Sequence, residues 1–223
     1  MTESKYIVLD TETGGFDCKL NPITEVALSV LDPYTLKEID SFQCYVKPYN
    51  DLKIEDGALK ASLVSIADIK RDGKDALKVK NLLKAIFEKH AIPSKRKEMG
   101  KPILVAQNGE FDLGFLEYLF VNVGPKDDLY NYLQRFYNDT WNDSKRIFGV
   151  EKGIKHNLSE IARKTNTELK SAHGAMNDVK ATAEVFRKIT FAMRRAFSEE
   201  SEGISENNQT QKKLKRKRDF FEF

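Results

Sequence analysis

Residues 6–13 of the chain read YIVLDTET. The first half, Tyr6 to Leu9, is β-branched and aromatic, which is typical of a short buried strand. Asp10 and Glu12 follow at its end, and residues two apart on a strand point to the same face, about 6.5–7 Å apart. Both carboxylates can therefore converge on one cation. Because the chain holds 34 acidic residues, a solvated strand end is the alternative for this pair taken alone.

The rest of the chain predicts how this strand is surrounded. Two more strands are expected at residues 23–31 and 39–46, and Asp32-Pro33 between them predicts a turn and an antiparallel meander. A short apolar strand at 103–106 then alternates with helices expected at 75–90, 108–123, 158–164 and 175–197. The pattern predicts an α/β fold in which helices cover a mixed sheet, antiparallel at first and then parallel. Residues 49–74 have no clear period and receive no assignment.

Length and composition predict one domain with an appended segment. The 223 residues are 40% hydrophobic and 32% charged, as in a globular protein. Residues 1–197 form the expected domain. From Ser198 the composition shifts to Ser, Glu, Asn and Gln without a hydrophobic period, which predicts a disordered tail over 198–223.

Several features bear on the compartment and on partners. The N-terminus lacks a signal-peptide pattern, and no apolar run approaches the roughly 18 residues that span a bilayer. Cys18 and Cys44 are expected to be free thiols, so a cytoplasmic setting without a membrane partner is predicted. The formal net charge of only +3 means that any grip on a polyanion must come from local patches or bound cations.

Asp112 is a third acid in an unexpected position. Counting along its predicted helix, Leu116, Leu119 and Val123 follow four, seven and eleven positions later, so the acid lies on the apolar stripe. A buried carboxylate needs a partner or a shifted pKa. The alternative is an acid of the first helical turn that the helix dipole favours.

Asp178 is the fourth, and it is paired in sequence with His173. On a continuous helix these two residues would lie about 140° apart, so they can share a site only if His173 precedes the helix, which Gly174 makes plausible. Asp178 shares its stripe with Ala181, Thr182 and Val185. Taken alone, a histidine and an acid at this spacing are more often incidental than catalytic.

Together, the four acids predict a metal centre. Carboxylates from one strand and two helices, all aimed at one interior, require cations, and oxygen ligands suit Mg²⁺ or Mn²⁺ rather than zinc. A carboxylate cage with two such ions is the arrangement for in-line attack on a phosphodiester. A histidine beside it can take a proton from water. The constellation predicts phosphodiester hydrolysis.

The same motifs carry a resemblance to a known family. Asp10-Thr11-Glu12-Thr13, Asn108-x-x-Phe111-Asp112 and His173-x-Ala175-x-x-Asp178 occur in the order and approximate spacing of the DnaQ-like (DEDDh) exonucleases. That family includes polymerase proofreading subunits and oligoribonuclease. The resemblance covers roughly residues 5–195 and implies a ribonuclease-H-like domain with 3′→5′ exonuclease activity.

The resemblance also implies roles for single residues. Asp10, Glu12 and Asp178 would hold the ion that activates water, and Asp10 and Asp112 would serve a second ion. His173 would be the general base, and the products would be nucleoside 5′-monophosphates.

The substrate contacts are implied in the same way. The backbone from Thr11 through Thr13 to Gly15 would hold the terminal nucleotide, Phe16 would wedge against the last base, and Asn108 would bind near the sugar-phosphate. A core aromatic and a helix N-cap are the respective alternatives for Phe16 and Asn108. The family usually has two threonines between the glutamate and the glycine. Here Gly14 replaces the second threonine, so the nucleotide contacts of this loop are expected to differ from those of the family.

The end of the chain suggests a protein partner. Lys212 to Arg218 holds six basic residues in seven, which by themselves predict a solvated tail or a weak phosphate contact. The final Asp219-Phe220-Phe221-Glu222-Phe223 resembles the acidic-aromatic peptides by which some phage replication proteins bind a sliding clamp. Exposed aromatic clusters often mark binding sites, so a clamp or a polymerase is the expected partner. Lys95-Arg96-Lys97 is expected to be an ordinary surface loop rather than a phosphate contact.

Three functions stay open from the sequence alone. The leading one is an exonuclease on single-stranded DNA 3′ ends in replication, repair or proofreading. An exoribonuclease would use the same site, because contacts to the 2′-OH lie in unassigned loops. A non-catalytic replication adaptor is the third, and the presence of all five catalytic residue types argues against it.

Overall fold

The computed structural model describes residues 3–62, 64–94, 100–150, 152–169 and 174–210; for Leu59, Ala61 and residues 198–210 only the backbone is described. The strands are β1 (Tyr6–Thr13), β2 (Ile23–Leu31), β3 (Glu38–Tyr45), β4 (Ile103–Ala106) and β5 (Tyr137–Asp139). The helices are α1 (Asp56–Ala61), α2 (Ile66–Asp72), α3 (Ala76–His90), α4 (Gly109–Asn122), α5 (Thr140–Phe148), α6 (Leu158–Lys164) and α7 (Ala175–Thr210), with a short 3₁₀ turn at Leu129–Asn131.

The five strands form one mixed sheet in the order β3-β2-β1-β4-β5. β1 pairs antiparallel with β2, which pairs antiparallel with β3, whereas β1 to β4 and β4 to β5 are parallel. The predicted mixed α/β sheet is therefore confirmed. β1 lies at its centre, which explains why its first half is fully apolar.

Two hydrophobic clusters cover the sheet and show which way each residue of β1 faces. Ile7 and Leu9 pack in the cluster that contains Val79 and Leu83 of α3 and residues of α4. Val8 belongs to the cluster that contains Ala175 and Val179 of α7. Because alternate residues of a strand point to opposite faces, Asp10 and Glu12 share the α7 face with Val8, and Thr11 shares the α4 face.

Several sequence predictions need correction near the site. The acids Asp10 and Glu12 lie inside β1 rather than beyond its end, because the ladder with β2 continues to Thr13. Helices α1 and α2 occupy part of the unassigned stretch, and β5 was not predicted because it has only three residues. The first turn of α3 is capped by the side chain of Asp75.

The C-terminal helix extends beyond its predicted end. It continues to Thr210 rather than ending at Phe197. Residues 198–210 contain no proline, and glutamate and glutamine sustain a helix that is already nucleated without an apolar stripe. The compact unit itself ends at Phe186, and the chain from Arg187 onward forms a second unit. None of the described helices combines the length and the apolar character that crossing a bilayer would take.

Candidate active site

Three carboxylates meet on the α7 face of β1. Asp10 and Glu12 come from the strand, and Asp178 comes from the first turn of α7. Each offers one oxygen atom, and the three atoms all lie within 4.8 Å of one another. The strand and the helix that the sequence assigned to these acids therefore bring them into one cluster.

Asp112 reaches the cluster from the other side of β1. It lies in the first turn of α4, is only 3% exposed, and its Oδ1 accepts hydrogen bonds from the backbone N–H and the hydroxyl of Thr11, at 2.9 and 2.7 Å. It is not one of the three acids within 4.8 Å, yet after burial its charge is the largest cause that raises the pKa of Asp10. Asp112 thus lies in the first turn of α4 and is held to β1 through Thr11.

The electrostatics of the cluster are those of crowded, buried acids. Burial, followed by Asp112, Asp178, Glu12 and Glu25, raises the pKa of Asp10 well above its ordinary range. Burial and then Glu25 raise the pKa of Glu12 to about 7. Burial also raises the pKa of Asp112 to about 7, against the opposing effect of the Thr11 hydrogen bonds.

Such a cluster fits divalent cations. Among the residues that the structure describes, the charged groups that shift the pKa of Asp10 and Glu12 are all acids, so a bound cation would offset their repulsion. The three clustered donors are carboxylate oxygens, which suit hard ions such as Mg²⁺ and Mn²⁺.

Glu25 is a fifth acid that the sequence analysis missed. It stands directly opposite Glu12 in the β1–β2 ladder and is 2% exposed. Its carboxylate accepts hydrogen bonds from Gln43 Nε2, at 2.6 Å, and from the backbone N–H of Ala175. An acid inside the otherwise apolar run ITEVALSVL was the available signal.

A cavity of about 240 Å³ adjoins the acids. It is lined by the end of β1, the loop that follows, α1 with the residue before it, and α4: Thr11, Glu12, Thr13, Gly15, Phe16, Glu55, Gly57, Ala58 and Phe111. Phe16 is 90% exposed, and its ring meets that of Phe111 edge-on at 6.5 Å. The alternative that Phe16 is a core aromatic is therefore wrong. The contribution of α1 was not foreseen, since the sequence has no clear period there.

Gly14 shapes this cavity by lacking a side chain. A Cβ at this position would lie 2.8 Å from Pro22 Cδ and 3.1 Å from the Cα of Ile54. The Gly14 N–H donates to the Pro22 carbonyl, and the Gly14 carbonyl accepts from the N–H of Glu55, both at 2.7 Å. The departure from the family pattern thus lets the segment before α1 approach the loop. Thr13 stabilises the same loop, because its hydroxyl donates to the Gly15 carbonyl.

One prediction for Asn108 was that its side chain caps α4, and the structure shows that it does not. It adopts a left-handed conformation, with φ of 63°, and makes no side-chain cap hydrogen bond. Instead, its backbone N–H donates to Asp139 Oδ1 at 2.9 Å. With Trp141 and His156, Asn108 lines a second cavity of about 330 Å³.

Some predicted residues lie outside the part of the chain that the structure describes. These are His173, Lys95-Arg96-Lys97 and residues 211–223, which include the basic run and the terminal aromatic peptide. The described chain resumes at Gly174, and α7 begins at Ala175, where the sequence placed its start.

The chain resembles known nucleases and a polymerase. Residues 7–186 match the RNase T family, described as exonuclease. A DNA polymerase III of the PolC type from Staphylococcus aureus is 26% identical over 96% of this chain but only 13% of its own length.

Solved structures of Escherichia coli exonuclease I share the fold. One, in complex with a dA16 oligonucleotide, superposes with a TM-score of 0.72 at 18% identity and covers 88% of this chain and 42% of its own. A zinc-bound form with single-stranded DNA gives 0.71 at 19% identity, with coverage of 88% and 42%. The chain thus spans less than half the length of these relatives.

The mixed sheet, with half-buried acids at its central strand, has the ribonuclease-H-like arrangement that the motifs suggested. With the match over residues 7–186, the chain belongs to the DnaQ-like exonuclease family. The family that the three motifs suggested is confirmed.

Proposed function

We propose that this protein is a metal-dependent 3′→5′ exonuclease that releases nucleoside 5′-monophosphates from nucleic-acid 3′ ends. The observation that carries the proposal is the convergence of Asp10, Glu12 and Asp178 within 4.8 Å, with Asp112 beside them. A cluster of like charges at this depth costs free energy unless cations bind it. The family match supplies the reaction class.

The acids would hold two divalent cations, Mg²⁺ or Mn²⁺. When bound, such ions lower the pKa of water and neutralise charge on the reacting phosphate. Asp10, Glu12 and Asp178 supply the clustered oxygens, and Thr11 keeps Asp112 oriented through two hydrogen bonds. His173 acts as the general base and takes the proton from the attacking water.

The cavity beside Glu12 is the place for the terminal nucleotide. The backbone and side chains from Thr11 to Gly15 form one wall, and Phe16 and Phe111 offer aromatic surface to a base. Stacking of this kind contributes about 1–3 kcal/mol per base. Asn108 is assigned to the sugar-phosphate near this end.

Single-stranded DNA is the proposed substrate. Two observations favour it: the polymerase relative is a DNA polymerase, and the exonuclease I structures hold single-stranded DNA. Replication, repair or proofreading is the proposed setting, and the similarity to a DNA polymerase supports it. An exoribonuclease with the same centre is the second candidate.

A digestion experiment tests the reaction and the substrate together. Matched single-stranded DNA, duplex DNA and RNA, labelled at either end, are incubated with Mg²⁺ or Mn²⁺. We expect mononucleotides from the 3′ end of single-stranded DNA and no reaction with a chelator. Faster release from RNA would favour the second candidate, and fragments released from the 5′ end would contradict the proposed polarity.

Three substitutions complete that test. Asp178→Ala should abolish cleavage, whereas Asp51→Ala, at an exposed aspartate, should leave it unchanged. His173→Ala should greatly lower the rate while Mn²⁺ still binds. A rate that His173→Ala leaves unchanged between pH 6 and pH 8 would refute the general-base role. Chelator-sensitive cleavage would also exclude a non-catalytic adaptor.

The terminal peptide Asp219–Phe223 is proposed to dock on a sliding clamp or a polymerase. These five residues combine three phenylalanines with two acids, and exposed apolar clusters often mark binding sites. Deleting residues 219–223 should spare hydrolysis of short oligonucleotides and weaken binding to the clamp. Unchanged binding would refute the idea. The free thiols of Cys18 and Cys44 support a cytoplasmic setting.

A further inference from the structure

Glu25 connects three elements around the acidic centre. Its strand, β2, is buried throughout, and the Glu25 side chain points to the same face as that of Glu12, its direct partner on β1. Gln43 of β3 donates to its carboxylate at 2.6 Å. The backbone N–H of Ala175, the first residue of α7, donates to it as well.

The first backbone N–H of α7 finds an acceptor on β2. The first N–H groups of a helix lack partners within the helix, and a side chain at the N-cap usually satisfies one of them. The residue before α7 is Gly174, which has no side chain; its carbonyl only accepts from Asn177 and Asp178, at 2.8 and 3.1 Å. A carboxylate at this end is also favoured by the helix dipole.

Glu25 carries a cost that calls for an explanation. It is 2% exposed, and it stands across the ladder from another acid, where like charges repel. A buried acid that merely filled space would be replaced favourably by an apolar residue. Its bond to Ala175 instead fixes the helix that carries Asp178 three residues later.

We propose that Glu25 is a positioning residue that anchors the first turn of α7 to the sheet and so sets Asp178 against Asp10 and Glu12. Glu25 does not belong to the group of three acids that can share one ion. It therefore affects the metal centre indirectly, by setting the position of Asp178. Gln43 of β3 donates to the Glu25 carboxylate. The hydrogen bonds of Glu25 therefore join β3, β2 and α7 at the edge of the proposed metal centre. This inference rests on the proposed function only for its effect on catalysis.

Two variants separate anchoring from charge. Glu25→Ala removes the acceptor, whereas Glu25→Gln keeps an amide oxygen for Ala175, and the Gln43 amide can flip to accept from the new NH₂ group. Glu38→Ala is the matched control, because Glu38 also accepts a hydrogen bond within the β2–β3 part of the sheet, from Ser29 at 2.7 Å. All variants are made in the full chain.

The first readout is independent of any nuclease activity. Exchange of the Ala175 amide proton, followed by NMR, should become about tenfold faster in Glu25→Ala and stay near the native rate in Glu25→Gln and Glu38→Ala. The second is the affinity for Mn²⁺ alone, measured by calorimetry. It should fall about tenfold in Glu25→Ala, as for residues that orient metal ligands, and less than about threefold in Glu25→Gln.

Definite outcomes overturn the inference. Native Ala175 exchange in Glu25→Ala would show that no anchor exists, and Mn²⁺ affinity equally impaired in Glu25→Gln would make Glu25 a ligand. If Glu25→Ala does not fold, Glu25→Asp keeps the charge but shortens the reach, and native Mn²⁺ affinity in that variant would equally refute anchoring. If the native protein cleaved no nucleic acid, the proposed function would be refuted. The Ala175 amide exchange and the Mn²⁺ affinity would still decide whether Glu25 anchors α7.

Discussion

The hydroxyl and the backbone N–H of Thr11 both donate to the same oxygen of Asp112, Oδ1, at 2.7 and 2.9 Å. The pair joins β1 to α4 on the face of β1 opposite to Asp10 and Glu12. Thr11 sits between those two acids in sequence, so a single strand positions three of the four acids. This contact connects two elements whose contacting residues are 101 positions apart in sequence.

Thr11→Val should therefore impair the enzyme without unfolding it. Valine has nearly the same shape and keeps the backbone bond, but the buried Asp112 loses its hydroxyl donor, at a cost of about 1–2 kcal/mol. We expect a lower kcat with little change in KM, measured on a short single-stranded oligonucleotide. Thr35→Val is the control, because the hydroxyl and the N–H of Thr35 also donate to one aspartate oxygen, Asp32 Oδ1, in an exposed turn. A native kcat for Thr11→Val would show that the hydroxyl does not matter for Asp112.

The metal-free protein should lose stability as the pH rises. The pKa of Glu12 and that of Asp112 both rise to about 7, mainly through burial, above the values of an unfolded chain. Between about pH 4.5 and pH 7 the native state therefore binds more protons than the unfolded state, and the free energy of unfolding falls as pH increases, by roughly 1–3 kcal/mol in total. Urea titrations in a chelator at pH 5, 6, 7 and 8 would measure this.

Mg²⁺ should reverse that loss, most strongly at pH 8. The cation binds the ionised acids of the native state and not those of the unfolded chain. It therefore stabilises the native state most at a pH at which these carboxylates are deprotonated. Asp178→Asn removes one of the like charges, and its metal-free stability should depend less on pH. Metal-free stability that rises between pH 5 and pH 7 would contradict the crowded-acid description.

Phe16→Ala should weaken substrate binding and leave stability nearly unchanged. The ring is 90% exposed, so its removal opens no cavity in the core. The loss of stacking on a terminal base should raise KM for short oligonucleotides by about tenfold. Leu20→Ala is a suitable control, because Leu20 is also exposed and does not line the cavity beside Glu12. Equal KM values for both variants would remove Phe16 from the nucleotide site.

Lys80→Met should destabilise the fold by about 2–4 kcal/mol. The Lys80 ammonium is buried and donates to the carbonyls of Phe120, Val123 and Pro125, at 2.6, 2.9 and 2.6 Å. It thereby closes the C-terminal end of α4, the helix that begins beside Asp112. Methionine fills the space but leaves three acceptors without this donor.

The control for Lys80 is another lysine of α3. Lys84 forms an ion pair with Asp127 at 2.6 Å, with 27% of its side chain exposed. Lys84→Met should cost about 1 kcal/mol or less, as for most partly exposed pairs. Thermal or urea unfolding of both variants gives the comparison, and a loss for Lys80→Met no larger than for Lys84→Met would refute the capping role.

The sequence by itself determined the mixed sheet, the bounds of α3, α4 and α6, the family and the identity of the acids. These features are local: strand and helix periods, turn residues and motif spacing are written in neighbouring positions. Asp10 and Glu12 share a face because the strand period is two.

Only the tertiary structure decided which residues meet across the fold. The contacts of Thr11 with Asp112 and of Glu25 with Ala175, the use of Gly14 as a point of close approach and the wall that α1 adds to the cavity all join segments far apart in sequence. Such contacts depend on which faces of the sheet the helices cover, and no local period encodes that choice. Burial then sets the charge of each acid, which a sequence cannot reveal because depth is a property of the packed chain.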